Sequence, residues 1–104
     1  MPTDEQIRSA VLDLVAQVPL GRVTTYGALS RMLKINPRQI GRVLHSNTNP
    51  LKYPCHRVVH HDGTTAASYV FGGSGKQQLL LKNEGVVFAG KRVVLASHFF
   101  NDFH

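Results

Sequence analysis

The chain has little of several features that would otherwise define a protein class. Among its 104 residues there is one cysteine, so neither a disulfide within the chain nor a zinc cluster built on cysteines can form. Its apolar runs are only a few residues long, which excludes a bilayer-spanning segment, and charged residues interrupt the stretch where a secretory signal would lie. We therefore expect an intracellular protein, cytoplasmic or nuclear, with one compact domain at 1–96 and a tail at 97–104.

Acidic residues are also missing from a long internal stretch. Between Asp13 and Asp62 there is no Asp or Glu, whereas the same stretch carries seven Lys and Arg, and the whole chain has a net charge of +6. We call residues 14–61 the acid-free window. A basic surface of this kind is typical of phosphate binding and favours a nucleic acid as the partner. A generally basic protein whose charge only keeps it soluble is the alternative that composition leaves open.

Hydrophobic periodicity and capping residues predict a mainly α, small α+β domain. A first helix is expected from a cap at Thr3 to about residue 18, and later helices at about 26–33, 37–45 and 75–83, the last capped by Ser74. Residues 57–60 are typical of a short strand, and residues 86–95 of a β-hairpin with a two-residue turn at Ala89-Gly90. The second and third helices, joined by a tight turn, indicate a helix-turn-helix unit inside the acid-free window.

The single cysteine stands in a sequence that can make it reactive. Cys55 follows a loop that ends in proline and directly precedes His56 and Arg57. A cysteine is an effective nucleophile only as the thiolate, and a nearby base or cation is what lowers a thiol pKa. Both kinds of group are adjacent in the chain, although neighbours on an extended strand point to opposite sides. A buried structural cysteine is the alternative that these residues alone leave open.

Several segments, in order along the chain, resemble one protein family. Residues 54–59 (PCHRVV) are similar to the active-site motif of the O6-alkylguanine-DNA alkyltransferases, which take an alkyl group from damaged guanine onto a cysteine. Further segments resemble that family's entry to the helix-turn-helix, recognition helix, active-site loop and following helix; they are 18–27, 38–41, 72–73 and 79–85. The resemblance covers about residues 5–95 and implies a winged helix-turn-helix-like alkyltransferase C-terminal domain with a short β-hairpin.

The resemblance implies roles for four residues in the chemistry. Cys55 would accept the alkyl group, His56 would deprotonate it through a water molecule, and Glu84 would hold the imidazole in the right tautomer. Asn47 would brace the turn between the recognition helix and the active-site loop. Because nothing regenerates the cysteine, each molecule would act once, as a methylated-DNA–protein-cysteine methyltransferase that needs no metal and no cofactor.

The resemblance also implies how DNA and the damaged base are bound. Arg38 would enter the base stack from the minor groove and fill the space of the extruded nucleotide, while Tyr26 would press on the neighbouring phosphate. The predicted DNA-binding set is Arg38, Tyr26, Arg42 and Thr25, and the predicted alkylguanine-binding set is Val58, Tyr69 and Phe71. The expected partner is duplex DNA containing O6-alkylguanine, bound by a monomer and without a membrane.

The chain departs from the family's pattern in two places. The interval from Tyr26 to Arg38 is about two residues shorter than is usual, so we expect a tighter helix-turn-helix turn. The loop at 68–73 carries an extra residue and the bulky Phe71, so we expect its contacts with guanine to differ from those of the family. This loop sets the size of the pocket and therefore the range of alkyl groups that fit.

Other functions account for the residues less completely. Alkyltransferase-like proteins bind O6-alkylguanine without transferring the alkyl group and recruit nucleotide excision repair proteins, but they usually carry tryptophan in place of the cysteine that this chain retains. A plain helix-turn-helix regulator would leave the 54–57 motif without a role. The pair His60-His61 has no evident third ligand, so no metal site is predicted. The segment 72–76 lacks the first glycine of a phosphate-binding loop.

Overall fold

A computed structural model describes residues 2–67 and 69–104 of the chain; Met1 and Ser68, the first residue of the altered loop, lie outside the described residues. The helices are α1 Asp4–Gln17, α2 Tyr26–Leu33, α3 Pro37–His45, α4 Gly73–Asn83 and α5 Leu95–His98, and a 3₁₀ turn spans Cys55–Arg57. The strands are β1 Thr24–Thr25, β2 Val58–Val59, β3 Phe88–Ala89 and β4 Arg92–Val93. The small α+β architecture expected from the sequence is therefore present.

Local capping explains where the first three helices begin. The Thr3 hydroxyl accepts a hydrogen bond from the amide of Gln6, whose side chain in turn accepts one from the Thr3 amide, so the predicted capping box is confirmed. At the start of α2, the side chain of Thr25 accepts a hydrogen bond from the amide of Ala28. At the start of α3, Asn36 forms a second capping box, ahead of a proline at the first helical position. The predicted bounds of α2 and α3 are confirmed because their signals lie within a few residues of each helix end.

Two short sheets join segments that are distant in sequence. The strands β1 and β2 are parallel, with Thr24 opposite Val58 and Thr25 opposite Val59. This pairing places the start of α2 beside the segment that follows the 3₁₀ turn. The strands β3 and β4 form the predicted antiparallel hairpin, with Phe88 opposite Val93. The helix-turn-helix unit and Cys55 are thus held together by a two-residue sheet.

Three local predictions were wrong in detail. The segment predicted as a strand at 57–60 is a 3₁₀ turn up to Arg57, and only Val58–Val59 is extended. Helix α4 begins at Gly73, two residues early, and no side chain caps it, so the predicted cap at Ser74 is replaced by a glycine pair at positive φ. The hairpin turn is Gly90-Lys91, one residue later than predicted, since Ala89 is still paired.

The core consists of two clusters of buried side chains. The larger cluster joins α1, α2 and α3 and includes Cys55, whereas the smaller cluster lies between β1, β2, α4 and the hairpin. Leu29, Ile40 and Leu81 are among the largest fully buried side chains. The 3₁₀ turn therefore lies near the junction of the two clusters, because Cys55 and Val58 belong to the larger cluster and Val59 to the smaller one.

The tail at 97–104 packs on the domain. The amide of Val23 donates to the carbonyl of His98, and the amide of Phe100 donates to the carbonyl of Val23. The side chain of Gln17 exchanges two hydrogen bonds with the backbone of His104, and Phe103 packs against the larger core cluster. The sequence left open whether the tail extends freely or packs; it packs along the junction of α1 and β1.

None of the helices within residues 2–67 and 69–104 combines the length and the hydropathy that a bilayer crossing requires.

Candidate active site and nucleic-acid interface

Cys55 lines a small, narrow pocket. Its side chain is buried, and its amide donates to the carbonyl of Tyr53 at 2.7 Å. We call this cavity the inner pocket; its lining residues are Tyr26, Gly41, Leu44, His45, Cys55, Tyr69 and Val70. Its volume is about 10 Å³, which is barely the space of one water molecule. A purine base can reach the thiol only after the lining residues separate.

Burial dominates the electrostatics of the thiol. It raises the pKa of Cys55 above its ordinary value, while a hydrogen bond from the Asn47 side chain lowers it in part. The same burial, together with the charge that a thiolate at Cys55 would carry, raises the pKa values of Tyr26 and Tyr69 to about 12. The narrow pocket thus holds a neutral thiol beside two neutral phenols, and a base is needed to form the thiolate.

A histidine–carboxylate pair begins at the residue that directly follows Cys55. The Nε2 atom of His56 lies 2.6 Å from a carboxylate oxygen of Glu84, and both side chains are nearly buried. Because Glu84 accepts at Nε2, a proton taken from Cys55 would enter at Nδ1 of the same ring. The structure thus joins His56 to Glu84, two of the three residues that the sequence assigned to proton transfer, and His56 directly follows the third, Cys55.

Glu84 is held by more partners than the sequence indicated. The Arg57 guanidinium donates to both of its carboxylate oxygens at 3.0 to 3.3 Å, and the amide of Gly21 donates to it at 3.2 Å. Burial would raise the pKa of Glu84, but hydrogen bonds from Arg57, His56 and Gly21 outweigh it and lower that pKa below its ordinary value. Glu84 therefore stays ionised at neutral pH.

Arg57 has a different role from the one that adjacency suggested. The sequence offered it as a cation beside the thiol, but its guanidinium binds Glu84 and donates to the carbonyl of Val18 at 2.9 Å. The 3₁₀ turn explains the difference, because it directs successive side chains to different sides. Arg57 thereby ties the reactive segment to the end of α1.

Asn47 braces the loop that leads to Cys55. It is buried, its side-chain nitrogen donates to the carbonyl of Tyr53 at 2.8 Å, and its side-chain oxygen accepts from the amide of Asn49 at 3.0 Å. These bonds connect the end of α3 with the residues just before the 3₁₀ turn.

A buried glutamine that the sequence did not indicate fixes the other side of the reactive segment. Gln77 on α4 donates from its side chain to the carbonyls of His56 and Val58, at 2.9 and 2.8 Å, and accepts from the amide of Ala66 at 2.8 Å. All its side-chain hydrogen-bonding groups are thus used inside the protein. The only available signal was a polar residue on the apolar side of a predicted helix.

The predicted DNA-binding residues divide into two groups. Arg38 and Arg42 are exposed on α3, and Tyr26 is half-buried at the start of α2. Thr25 is buried and its hydroxyl accepts from the amide of Ala28, so its side chain is used as a helix cap. The structure therefore offers Arg38, Arg42 and Tyr26 to a ligand at the surface.

The predicted alkylguanine-binding residues also differ from one another. Tyr69 lines the inner pocket, whereas Phe71 is outside its lining and packs edge-on against the ring of Tyr69 with centroids 5.9 Å apart. Val58 is fully buried and its carbonyl accepts from Gln77. Val70, which the sequence analysis passed over, takes a place in the lining next to Tyr69.

A second cavity adjoins the inner pocket on the surface. We call it the outer notch; its volume is about 260 Å³ and its lining residues are Tyr26, Pro37, Arg38, Gly41 and His60. Tyr26 and Gly41 line both cavities, so they form the wall between them. A nucleotide lying at the outer notch would therefore be separated from Cys55 by one tyrosine ring.

Metal ligands do not cluster in the part of the chain that is described. Within residues 2–67 and 69–104, no three His, Cys, Asp or Glu side chains lie close enough to share a metal ion.

Comparison with known proteins finds similarity along most of the chain. Residues 6–86 match the family model described as 6-O-methylguanine DNA methyltransferase, DNA binding domain. A methylated-DNA–protein-cysteine methyltransferase of Thermococcus kodakarensis is 41% identical over 73 residues, which are 70% of this chain and 40% of the relative. A DNA base-flipping protein of Thermus thermophilus is 38% identical over 80 residues, 77% of this chain and 53% of the relative. The chain thus spans about half or less of the length of these relatives.

Solved structures show the same fold. The S. pombe protein Atl1, in a complex with damaged DNA containing O6-carboxymethylguanine, aligns with a TM-score of 0.79 at 27% identity, covering 96% of this chain and 98% of that one. The O6-methylguanine-DNA methyltransferase of Pyrococcus kodakaraensis aligns with a TM-score of 0.63 at 36% identity, covering 83% of this chain and 47% of that one. The predicted fold class is confirmed.

Proposed function

The chain belongs to the 6-O-methylguanine DNA methyltransferase family, and from this premise we propose that it repairs DNA by flipping O6-alkylguanine out of the duplex and transferring the alkyl group irreversibly to Cys55. The observation that carries this proposal is the 2.6 Å contact between His56 and Glu84, because His56 directly follows Cys55, a buried cysteine that lines a pocket. A structural cysteine would need no base held in one tautomer by a buried carboxylate.

The chemical step needs only this chain and the damaged base. His56 takes the thiol proton, through a water molecule, and Glu84 stabilises the imidazolium that forms. The thiolate sulfur then attacks the alkyl carbon; the S–C bond forms while the C–O6 bond breaks, and guanine leaves with the electron pair. The proton given up by Cys55 suffices to neutralise the departing guanine. The thioether is stable, so each molecule acts once.

Base flipping follows from the position of the thiol. An O6-alkyl group inside a duplex cannot reach a buried sulfur, and unstacking one base costs a few kcal/mol. Arg38 is exposed beside the outer notch, where its guanidinium can enter the base stack and offset part of that cost. The inner pocket, with a volume of about 10 Å³, then has to open around Tyr69 and Val70 as the base enters.

Mass spectrometry of the intact protein tests the proposed transfer. After incubation with a duplex containing O6-methylguanine, we expect one methyl group on Cys55 and no further addition on longer incubation. The Cys55→Ser variant should bind the same duplex and gain no mass. Binding by fresh, reduced protein without any mass gain would refute the transferase proposal.

A second candidate is an alkyltransferase-like sensor that binds O6-alkylguanine without transfer and recruits nucleotide excision repair proteins. The observation that favours it is the nearly full-length alignment with S. pombe Atl1, whose structure holds damaged DNA. The retained Cys55 and its proton-transfer partners favour the transferase. The same mass measurement separates the two, since both bind the damaged duplex and only one gains mass.

The partner and setting follow from the same proposal. We expect the protein to act as a monomer on duplex DNA inside the cell, because repair of this kind requires access to the genome. The exposed arginines of α3 lie within the acid-free window, which supports a sequence-independent grip on phosphates.

A further inference from the structure

His60 stands on the rim of the outer notch, and the sheet register places it there. Because β1 and β2 are parallel with Thr25 opposite Val59, the next residues of the two strands, Tyr26 and His60, lie side by side. Their rings stack with centroids 5.2 Å apart at an angle of 33°. The sequence predicted His60 at the end of a short strand and gave it no role, but the structure places its ring against that of Tyr26.

Hydrogen bonds also hold the backbone around His60 in a tight turn. Its amide donates to the carbonyl of Thr64 and its carbonyl accepts from the amide of Gly63, both at 2.9 Å. Gly63 has φ of +88°, and a Cβ there would come within 2.7 Å of the carbonyl of Val93, so this tight turn requires glycine. The exposed imidazole is thus presented from a braced turn.

We propose that His60 contacts a DNA backbone phosphate at the outer notch, beside the ring of Tyr26, and that protonation of His60 strengthens DNA binding. This inference rests on the proposed function only in placing DNA on this face. The ligand class is a phosphodiester, which a histidine with a free ring edge recognises as a hydrogen-bond donor and, when protonated, as a cation.

The charges around His60 support a phosphate in this position. From α3, Arg38 lines the same notch, and from α2, Tyr26 is held neutral because burial, with the Cys55 charge, raises its pKa to about 12. On the turn itself, His61 is exposed, and Asp62 accepts two hydrogen bonds from Thr64. From β4, the backbone of Arg92 pairs with that of Thr64, and the positive charge of Arg92 helps to lower the pKa of Asp62.

These surroundings determine the sign of the pH effect. A phosphate bound between Arg38 and His60 is a negative charge that favours the protonated imidazole. Binding DNA therefore takes up a proton, so affinity falls as the pH rises through the range, about 5 to 8, in which histidines lose their charge.

Fluorescence anisotropy with an undamaged labelled duplex tests this contact at about pH 6 and about pH 8. Relative to the unsubstituted chain, His60→Gln should bind several-fold more weakly at the lower pH, with a salt slope smaller by about 0.9, and should differ little at the higher pH. His60→Lys should bind almost equally at both pH values. The matched control is His61→Gln, which changes the neighbouring exposed histidine and should leave affinity and salt slope unchanged.

The outcomes separate this inference from the proposed function. The measurement can be made in the Cys55→Ala background, so it does not depend on alkyl transfer, and a failure of methyl transfer would leave it intact. Equal weakening by His60→Gln and His60→Lys at both pH values would show that the ring only supports Tyr26 and would overturn the phosphate contact. If His60→Gln leaves the salt slope of DNA binding unchanged at low pH, the phosphate contact is overturned as well. Equal melting temperatures of the variants confirm that they fold.

Discussion

The surface proposed to face DNA and the centre proposed to react are built in opposite ways in this protein. The surface of α3 carries exposed arginines on a helix whose cap and first turn are local in sequence. At the reactive centre, hydrogen bonds join residues far apart in the chain: His56 and Arg57 to Glu84, Arg57 to Val18 and Gln77 to the 3₁₀ turn.

The α3 surface and the buried network therefore control different properties of the protein. Substitutions on the α3 surface should change DNA binding and leave folding nearly intact, because exposed side chains contribute little to stability. Substitutions in the buried network should change stability and chemistry together, because the same bonds that hold the fold also orient His56.

Gln77→Leu should have the largest effect on stability. Leucine leaves the carbonyls of His56 and Val58 and the amide of Ala66 without their partner, and each orphaned buried group costs about 1–3 kcal/mol. We expect a loss of about 3 kcal/mol or more in the free energy of unfolding, measured with urea. The control Gln78→Leu affects a half-buried neighbour with one long bond to Thr65 and should cost far less.

Glu84→Gln should cost about 2 kcal/mol, because it replaces charged hydrogen bonds from Arg57 and His56 with neutral ones. It should also slow methyl transfer strongly, while Asp102→Asn, an exposed change in the tail, should do neither. Urea unfolding and the rate of mass gain measure the two effects. Unimpaired transfer by Glu84→Gln would contradict its proposed role.

The same variant has a defined pH signature. Because the pKa of Glu84 is held below its ordinary value in the fold, its contribution to stability is complete above about pH 4.5 and is lost as the pH falls through the folded pKa. The stability of Glu84→Gln should therefore fall less steeply in acid than that of the unsubstituted chain. If the free energy of unfolding falls in parallel for the two proteins as the pH is lowered, other carboxylates dominate the loss of stability in acid.

Arg38→Ala should slow repair of a methylated duplex about tenfold or more, which corresponds to about 1.4 kcal/mol, and should change the reaction with free O6-benzylguanine far less. Only the duplex substrate requires a base to be flipped. Stability should change by less than about 0.5 kcal/mol. Lys91→Ala, an exposed change on the hairpin turn, is the control, and equal losses with both substrates would remove Arg38 from the flipping step.

Asn36→Ala should have the smallest effect, about 1 kcal/mol of stability, because it removes one helix cap that accepts from the amide of Arg38. Urea unfolding measures the loss, and methyl transfer to a free base should continue. A loss as large as that of Gln77→Leu would contradict the view that the α3 surface is held locally.

The accuracy of the sequence predictions follows the same division. The bounds of α2 and α3 could be predicted because Thr25 and Asn36 lie next to the residues they cap. The start of α4 could not, since Gly72 and Gly73 enter that helix at positive φ without a side-chain cap. The strand expected at 57–60 failed because its apolar pattern is shared by a 3₁₀ turn followed by two extended residues.

For the site, the motif around Cys55 and its resemblance singled out Cys55, His56 and Glu84, and the structure pairs the last two. Neither could identify Gln77, whose signal was one polar residue among leucines, or the stacking of His60 on Tyr26, which depends on strand register. Thr25 belongs to the predicted DNA-binding set, but its hydroxyl accepts a hydrogen bond from the amide of Ala28 within the fold.

The amino-acid sequence by itself determined a basic, single-cysteine domain with local helix caps and a reactive motif. Charge, capping and residue order depend on neighbours along the chain, so they can be read without a fold. Only the tertiary structure decided that Arg57 binds Glu84, that the thiol lies in a narrow pocket, and that His60 meets Tyr26 beside Arg38. The physical reason is that these contacts join segments whose separation in sequence carries no information about their distance in space.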